Sequence, residues 1–425
     1  MINKRAIELN EIIKQESPQV HSMLSEKGRA LYFPKGGILA QGAEAKGKDI
    51  NATVGIALEE DGSPLALESV KELIKLKKSE VFSYAPSAGL PALRKKWKEM
   101  ILQKNPGIND EISVPIVTNA LSHGLVVAGY LFSDGESIVA EPFWGNYNLI
   151  FETGYNSKLV KYPIFSDEGY NVSQLDVLLN AEGDKKIVIF NFPNNPTGYT
   201  PLEEEIDKIV EVVKNAAENG KKIVALCDDA YFGLVYEPGV YKESIFSKLS
   251  SVHVNVMAVK IDGATKEDYA WGLRTGFITF GIKNGSRELY QALEEKTAGA
   301  VRGTISSASH PSQSLLLRAY NEPEYHKDKE EKYNLLKTRY NKLKETLKKY
   351  DNRFFEPLPC NSGYFMCLRL KNIDAEKVRK LLLEKYSTGV IAIGNVLRIA
   401  FSATPLTKIE QMVKNIYSAC EEING

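Results

Sequence analysis

Cysteine is scarce in this 425-residue chain, with only Cys227, Cys360, Cys367 and Cys420. None stands in a CxxC pair, so they build neither a disulfide framework nor a zinc site of that pattern. They read as reduced core or boundary residues. The five histidines, His21, His123, His253, His310 and His326, are scattered and form no metal-ligand pattern. Net charge is missing as well, because 54 Lys+Arg balance 54 Asp+Glu. That argues against nucleic acid as a partner, since a polyanion needs clustered positive charge. The lysine runs Lys75, Lys77, Lys78 and Lys344, Lys348, Lys349 have glutamates nearby and read as solvated helix faces. Long apolar runs are absent too. The longest lies near Gly124–Phe132, well short of the ~20 residues of a membrane-spanning helix. Early positive charge at Lys4 and Arg5 is followed by Glu8, Asn10 and Glu11 and not by an apolar stretch. No secretory signal is therefore expected, and the expected location is cytoplasmic.

What is present is an ordinary globular composition, 43% hydrophobic and 25% charged, in a length that suggests more than one domain. Short apolar runs alternate with helical patterns through the middle of the chain, the signature of a parallel sheet with crossover helices. The clearest unit begins with a strand at Ile187–Phe190 and a Pro/Asn/Gly loop from Pro193 to Gly198. A helix is expected next, with Thr200 as N-cap, Pro201 at its first position and Glu203 closing a capping box. Ile206, Ile209, Val210, Val213 and Ala217 form its apolar stripe, and Gly220 ends it. Ile223–Cys227 is the next strand. Further strands are expected at 115–118, 137–141, 158–162, 254–261 and 277–281. After about Tyr320 the pattern changes to a long charged helix over 327–350, short strands at 364–370 and 396–401, and helices at 375–386 and 407–422. The expected division is an arm and part of a small domain over 1–60, a large domain over 61–320, and a small α+β domain over 321–425.

Polar and aromatic residues gather just after the expected strands: Asn119 and Ser122, Trp144, Asn195, Asp228 and Lys266. Open parallel sheets bind ligands outside the carboxyl ends of their strands, so these positions point to one site. Lys266 is followed eight residues later by Arg274. A lysine kept neutral forms a Schiff base with an aldehyde, and an arginine neutralises a phosphate, although two surface cations would leave the same trace. Asp228-Asp229-Ala230-Tyr231 places a carboxylate at a strand end, able to pair with a protonated pyridine nitrogen. Asn194-Asn195-Pro196-Thr197-Gly198 is composed like a turn, and in a functional reading Asn195 donates to a ligand's ring oxygen while the prolines fix the loop.

Taken together, these three motifs resemble the class I aminotransferases among the fold-type-I pyridoxal-phosphate enzymes. The resemblance extends in order over about residues 50 to 405. It implies an α/β fold in which a mostly parallel seven-stranded sheet is sandwiched by helices, with a smaller α+β domain beside it. It implies pyridoxal 5'-phosphate as cofactor, carried by Lys266 as an internal aldimine. Asp228 would meet the pyridine nitrogen, while Asn195 and Tyr231 would donate to the ring oxygen. Ala120, Leu121 and Ser122 resemble the phosphate loop at a helix N-terminus, joined by Thr265 and Arg274. Trp144 resembles the aromatic that stacks on the ring, and Arg398 the arginine that grips the substrate α-carboxylate. Tyr84 resembles the tyrosine that reaches the phosphate of the neighbouring subunit. Three positions depart from the pattern. Ala120 stands where glycine is common, Gly263 where serine is frequent, and Tyr147 where the aspartate-type enzymes carry a histidine supporting the ring aspartate.

The implied activity is a ping-pong transamination between an L-amino acid and a 2-oxo acid, with Lys266 as general base and acid. Arg302 stands where aspartate-type and aromatic-type enzymes place an arginine for the distal carboxylate, across a homodimer whose active sites lie at the subunit interface. It favours aspartate, glutamate or aromatic donors with 2-oxoglutarate as acceptor; a plain surface arginine is the competing reading. A carbon–sulfur β-lyase or a cyclopropane-forming synthase on the same scaffold remains the alternative. A cofactor-sensing regulator would need a DNA-binding module, and none is visible.

Overall fold

Seven apolar segments rich in β-branched residues pair into one sheet, and the helices between them cover its faces. The computed structural model describes residues 3–32, 37–71, 75–167 and 169–424. The strands are β1 (Ile116–Asn119), β2 (Glu136–Glu141), β3 (Lys158–Pro163), β4 (Lys185–Asn191), β5 (Lys222–Asp228), β6 (Val256–Gly263) and β7 (Thr275–Ile282). Their spatial order is β1-β7-β6-β5-β4-β2-β3. β7 runs antiparallel to both β1 and β6, and the remaining neighbours are parallel. The mostly parallel seven-stranded sheet is therefore as expected. β4, β5 and β6 are buried along almost their whole length, as a sheet covered on both faces requires.

Helices α1 (Pro91–Lys104), α2 (Ala120–Phe132), α3 (Glu203–Glu218), α4 (Arg287–Ile305) and α5 (Tyr325–Leu347) are the ones that bear on the site. α2 holds the longest apolar run, most of whose first six residues are buried in the protein while Tyr130 is exposed. No described helix is long and apolar enough to cross a membrane. α3 starts later than its sequence signals suggest. Thr200 does not cap it: its amide donates to Asn361 Oδ1 at 2.9 Å, and its hydroxyl meets Ser362 Oγ at 2.8 Å. The helix begins at Glu203, and the Leu202 amide donates to Glu205 Oε2 at 2.7 Å. Tertiary hydrogen bonds from the 361–362 loop have taken the groups that would otherwise cap the helix. Gly220 terminates it as expected, in a left-handed conformation at φ +91°.

A second sheet holds β8 (Phe355–Pro357), β9 (Phe365–Leu370), β10 (Ile391–Ile393) and β11 (Val396–Ala400), all antiparallel in the order β8-β9-β11-β10. The segment Ile50–Asn51 pairs in parallel with Thr388–Gly389, and the Gln41 side chain bonds both ways with the Ala392 backbone. The chain near residue 50 therefore packs on the C-terminal part.

Sheet direction decides where the site is. The carboxyl ends of β1, β2, β4, β5 and β6 share one edge. Because β7 is antiparallel, its start lies there too, with Thr275 opposite Asn119 and Gly276 opposite Gly263. Lys266 and Arg274 thus flank a single short connection between β6 and β7 at that edge.

Candidate active site

Lys266 sits in a one-turn helix, Ala264–Glu267, immediately after β6. Its backbone is held from several directions. The Tyr364 hydroxyl donates to the Lys266 carbonyl at 3.1 Å. The next residue, buried Glu267, is bound by Lys104 of α1 at 2.6 Å and by Lys329 of α5 at 2.8 Å. Asp268 accepts from Tyr320 at 2.8 Å and from Tyr325 at 2.6 Å. The Lys266 amine has no hydrogen-bond or ion-pair partner among the described residues and lies 5.3 Å from the centre of the Tyr231 ring. Burial pushes its pKa below the ordinary lysine value; Asp228 opposes that shift and Arg274 adds to it. A lysine with a loosened proton and a free amine is what imine chemistry with an aldehyde requires.

Asp228 ends β5. Its Oδ2 accepts from the Tyr147 hydroxyl at 2.5 Å, and Oδ1 accepts from the Ala230 amide at 3.2 Å. Burial raises its pKa, while Tyr147 and Lys266 pull it back down. Asn191 joins the Asp228 backbone to the neighbouring loop, donating to the Asp228 carbonyl at 2.9 Å and accepting from the Asn195 amide at 2.8 Å. Trp144, half-buried beyond β2, meets Tyr147 edge to face with ring centres 5.8 Å apart.

Arg398 on β11 comes from the other sheet. It is 3% exposed and donates to the Asn195 side chain at 3.4 Å and to the Thr53 carbonyl at 3.2 Å. Its guanidinium lies 4.2 Å above the Phe365 ring, and its Nε has no partner. Among the described residues no carboxylate pairs with it. A buried cation left in this way is costly unless an anion is supplied from outside.

At the start of α2, Ala120 adopts φ +60°, the left-handed region that glycine enters more easily. Gly276 lies against it, and a Cβ there would stand 2.6 Å from the Ala120 carbonyl carbon. Ala120, Leu121 and Ser122 form the first turn of α2 directly after β1, and first-turn helix amides lack intrahelical partners and suit an anion. The Thr265 hydroxyl is buried without a partner. At Gly263 a Cβ would meet the Thr275 carbonyl oxygen and Gly276 Cα, each at 2.6 Å, so the serine frequent in the resembling family does not fit this backbone. Arg274 is exposed at φ +49° and touches the Trp271 carbonyl at 3.5 Å.

Eleven of the expected positions therefore gather at one edge: Ala120, Leu121, Ser122, Trp144, Asn195, Asp228, Tyr231, Thr265, Lys266, Arg274 and Arg398. Tyr84 and Arg302 do not join them within one chain. Tyr84 is 90% exposed, and Arg302 lies on the surface of α4, bonded to Ser306 at 3.1 Å. Their segments are adjacent, since Ser87 donates to the Ser306 carbonyl at 2.9 Å and His310 meets the Ser83 carbonyl at 3.0 Å. Sequence reading missed Asn191, Thr53, Phe365 and Tyr364. Asn191 ends a strand next to the Asn194 loop and carried a signal of that kind; the other three carried none.

The family model for aminotransferase class I and II matches residues 48–416. The chain belongs to the aminotransferase class I and II family. Within this family, a protein of Aquifex aeolicus named "Probable aspartate/prephenate aminotransferase" is 26% identical over 46% of this chain and 48% of its own length. An aspartate aminotransferase of Bacillus sp. is 28% identical over 57% of each chain. The chain spans about half the length of the curated relatives it matches. Among solved structures, an aminotransferase from Anaerococcus prevotii superposes with a TM-score of 0.83 at 24% identity, covering 95% of this chain and 100% of its own. A Pyrococcus horikoshii kynurenine aminotransferase, solved with PMP, superposes with a TM-score of 0.78 at 18% identity, covering 95% and 98%. These likenesses show the fold of the class I and II aminotransferases, the fold-type-I architecture.

Proposed function

We propose that this chain is a pyridoxal 5'-phosphate-dependent aminotransferase. The reading rests on one observation above all: half-buried Lys266 and buried Arg398 both lack a carboxylate hydrogen-bond partner and lie on either side of Tyr231 at the same sheet edge. The residues present suit the cofactor. The free first-turn amides at Ala120–Ser122, the unpartnered Thr265 hydroxyl and Arg274 suit its phosphate, and Asp228 suits a protonated ring nitrogen. Asn195 and Tyr231 suit the ring oxygen, Trp144 the ring face and Lys266 the aldehyde. When bound, the cofactor supplies an electron-accepting ring that stabilises the charge left by breaking the substrate Cα–H bond.

The protein's own groups do the rest. Arg398 binds the α-carboxylate of the amino acid and, through Asn195 and Thr53, is held for a two-pronged grip. Lys266 Nζ, its proton loosened by burial, takes the proton from Cα and returns it. Asp228, kept toward its ionised form by Tyr147, holds a proton on the ring nitrogen. The buried rings of Tyr231, Tyr364 and Phe365, packed edge to face, would limit water beside the reacting groups. Two half-reactions exchange the amino group between an L-amino acid and a 2-oxo acid in ping-pong order.

The adjacent surface placement of Tyr84 and Arg302 supports a homodimer in which each chain lends both residues to its partner's site. Arg302 would then read a distal carboxylate, favouring aspartate or glutamate with 2-oxoglutarate. We divide the chain into 1–60, 61–320 and 321–425, and place its work in the cytoplasm, as the name of a cytoplasmic relative from Caenorhabditis elegans suggests.

The test is an absorption spectrum of the cofactor-loaded protein before and after adding L-aspartate, L-glutamate or L-tyrosine. A visible band that moves to the near ultraviolet with one of them supports transamination and names the donor. Pyruvate and ammonia formed without an oxo-acid acceptor would replace it with a lyase. A Lys266→Ala protein with an unchanged band would sink the assignment of Lys266.

A further inference from the structure

Beside the anion loop stands a buried histidine that the reaction does not use. His123 lies on the first turn of α2, 9% exposed. Its Nδ1 accepts from the Asn119 amide at 3.1 Å, and its Nε2 lies 2.8 Å from Thr304 Oγ1. The Thr304 hydroxyl already donates to the Ala300 carbonyl at 2.8 Å. The imidazole must therefore donate from Nε2 and accept at Nδ1, which defines a single neutral tautomer. One ring thus joins the residue just before left-handed Ala120 to the last turn of α4, two residues beyond Arg302.

We infer that His123 is a positioning residue for the anion loop: its neutral imidazole holds the Asn119–Ser122 backbone in its phosphate-binding shape and ties it to the α4 turn. The inference rests on the phosphate-site reading given above. Without the ring, the Asn119 amide loses its acceptor, and the Ala120 conformation, unfavourable for a residue with a Cβ, loses a constraint. Protonated, the ring presents an N–H to an N–H and breaks the same link. Burial already holds the imidazole below its ordinary pKa. Charged groups on the elements packed against α2 are engaged elsewhere. Arg302 bonds Ser306, Glu294 pairs with Arg94, Lys260 with Asp229 and Asp262, Asp228 with Tyr147, and Glu152 with the Leu159 amide. Arg287 and Glu288 lie at the opposite end of α4 and Glu295 and Lys296 at its middle, and Lys222 opens β5 at the far end from Asp228.

The experiment is calorimetric titration of the cofactor-free protein with inorganic phosphate and with pyridoxal 5'-phosphate, from pH 8 to pH 5. It compares the unsubstituted chain with His123→Gln and His123→Leu. Glutamine can accept from Asn119 and donate to Thr304 without titrating; leucine can do neither. At pH 8 the Gln variant should bind within about twofold of the unsubstituted chain, and the Leu variant about tenfold more weakly. The phosphate's own ionisation is common to all three, so the affinity ratio of unsubstituted chain to Gln variant isolates His123. Wherever acid protonates the imidazole, that ratio should fall and never rise. A rising ratio overturns the inference, as does full affinity in the Leu variant or a Gln variant more than about tenfold weaker at pH 8. Should the Leu variant fail to fold, the Gln ratio alone decides. No phosphate binding by the unsubstituted chain also overturns it. The visible band of the loaded protein judges the broader reading separately.

Discussion

The Tyr147 hydroxyl donates to Asp228 Oδ2 at 2.5 Å across 81 residues of chain, and both side chains are buried. The bond lowers the carboxyl pKa against the upward push of burial, while the phenol is driven well above its usual value. In the proposed function, this bond would keep Asp228 able to carry the negative charge that a protonated ring nitrogen requires.

Tyr147→Phe should therefore raise the Asp228 pKa further. A raised carboxyl pKa means less carboxylate at a given pH, so the acid limb of the kcat/KM profile should move to higher pH. At neutral pH the loss should be about tenfold to hundredfold, the range of one hydrogen bond to a charged group. Steady-state rates from pH 5 to 9 check this, and an unmoved limb would detach Tyr147 from the titration.

Arg398→Lys should raise KM for the amino acid about a hundredfold while changing kcat less. A lysine cannot bond Asn195, Thr53 and a carboxylate with a planar fork. Initial rates across substrate concentration separate the two parameters, and an equal fall in kcat would instead give Arg398 a role in the chemical step.

Gly263→Ser would restore the side chain frequent in the resembling family, yet it should harm this protein. The new Cβ would press on the Thr275 carbonyl and on Gly276, which itself abuts Ala120. Denaturant unfolding should show a loss of about 1–3 kcal/mol. Cofactor affinity should fall and not rise; tighter binding would mean that the strand yields and the hydroxyl reaches the phosphate.

Asp262 sits near the end of β6, just before the Lys266 turn in sequence, accepting from the Trp97 indole at 3.0 Å and facing Lys260 at 3.5 Å. Burial raises its pKa from 3.8 to about 6, against the pull of Lys260 and Lys104. The folded state thus holds this proton more tightly than the unfolded state, so the group's stabilisation is present below pH 4 and lost as pH rises to 6. Asp262→Asn cannot lose a proton. Its stability relative to the unsubstituted chain should climb by about 3 kcal/mol between pH 4 and 7. Urea unfolding at each pH measures that difference, and a flat difference would show that Lys260 keeps Asp262 ionised throughout.

Much of the architecture was legible from local pattern alone. The apolar runs at 187–190 and 223–227 became β4 and β5 because burial on both faces demands such runs. Gly220 ended α3 because a left-handed residue was needed there. The start of α3 was misjudged because Thr200, a good cap in isolation, is taken by Asn361 and Ser362 from 161 and 162 residues away. Local signals carry no record of such partners.

The residue types at the site and their order were determined by the sequence itself, because each chemistry needs a particular side chain: an amine at 266, a carboxylate at 228, a guanidinium at 398. Only the tertiary structure decided their working state. The antiparallel turn of β7 brings Arg274 back to the Lys266 edge, and the second sheet carries Arg398 onto Asn195. Burial and the Tyr147 bond set the charge of Asp228, and His123 found its two partners on β1 and α4. Proton affinity and orientation depend on what surrounds a group in space, and neighbours distant in sequence supply those surroundings.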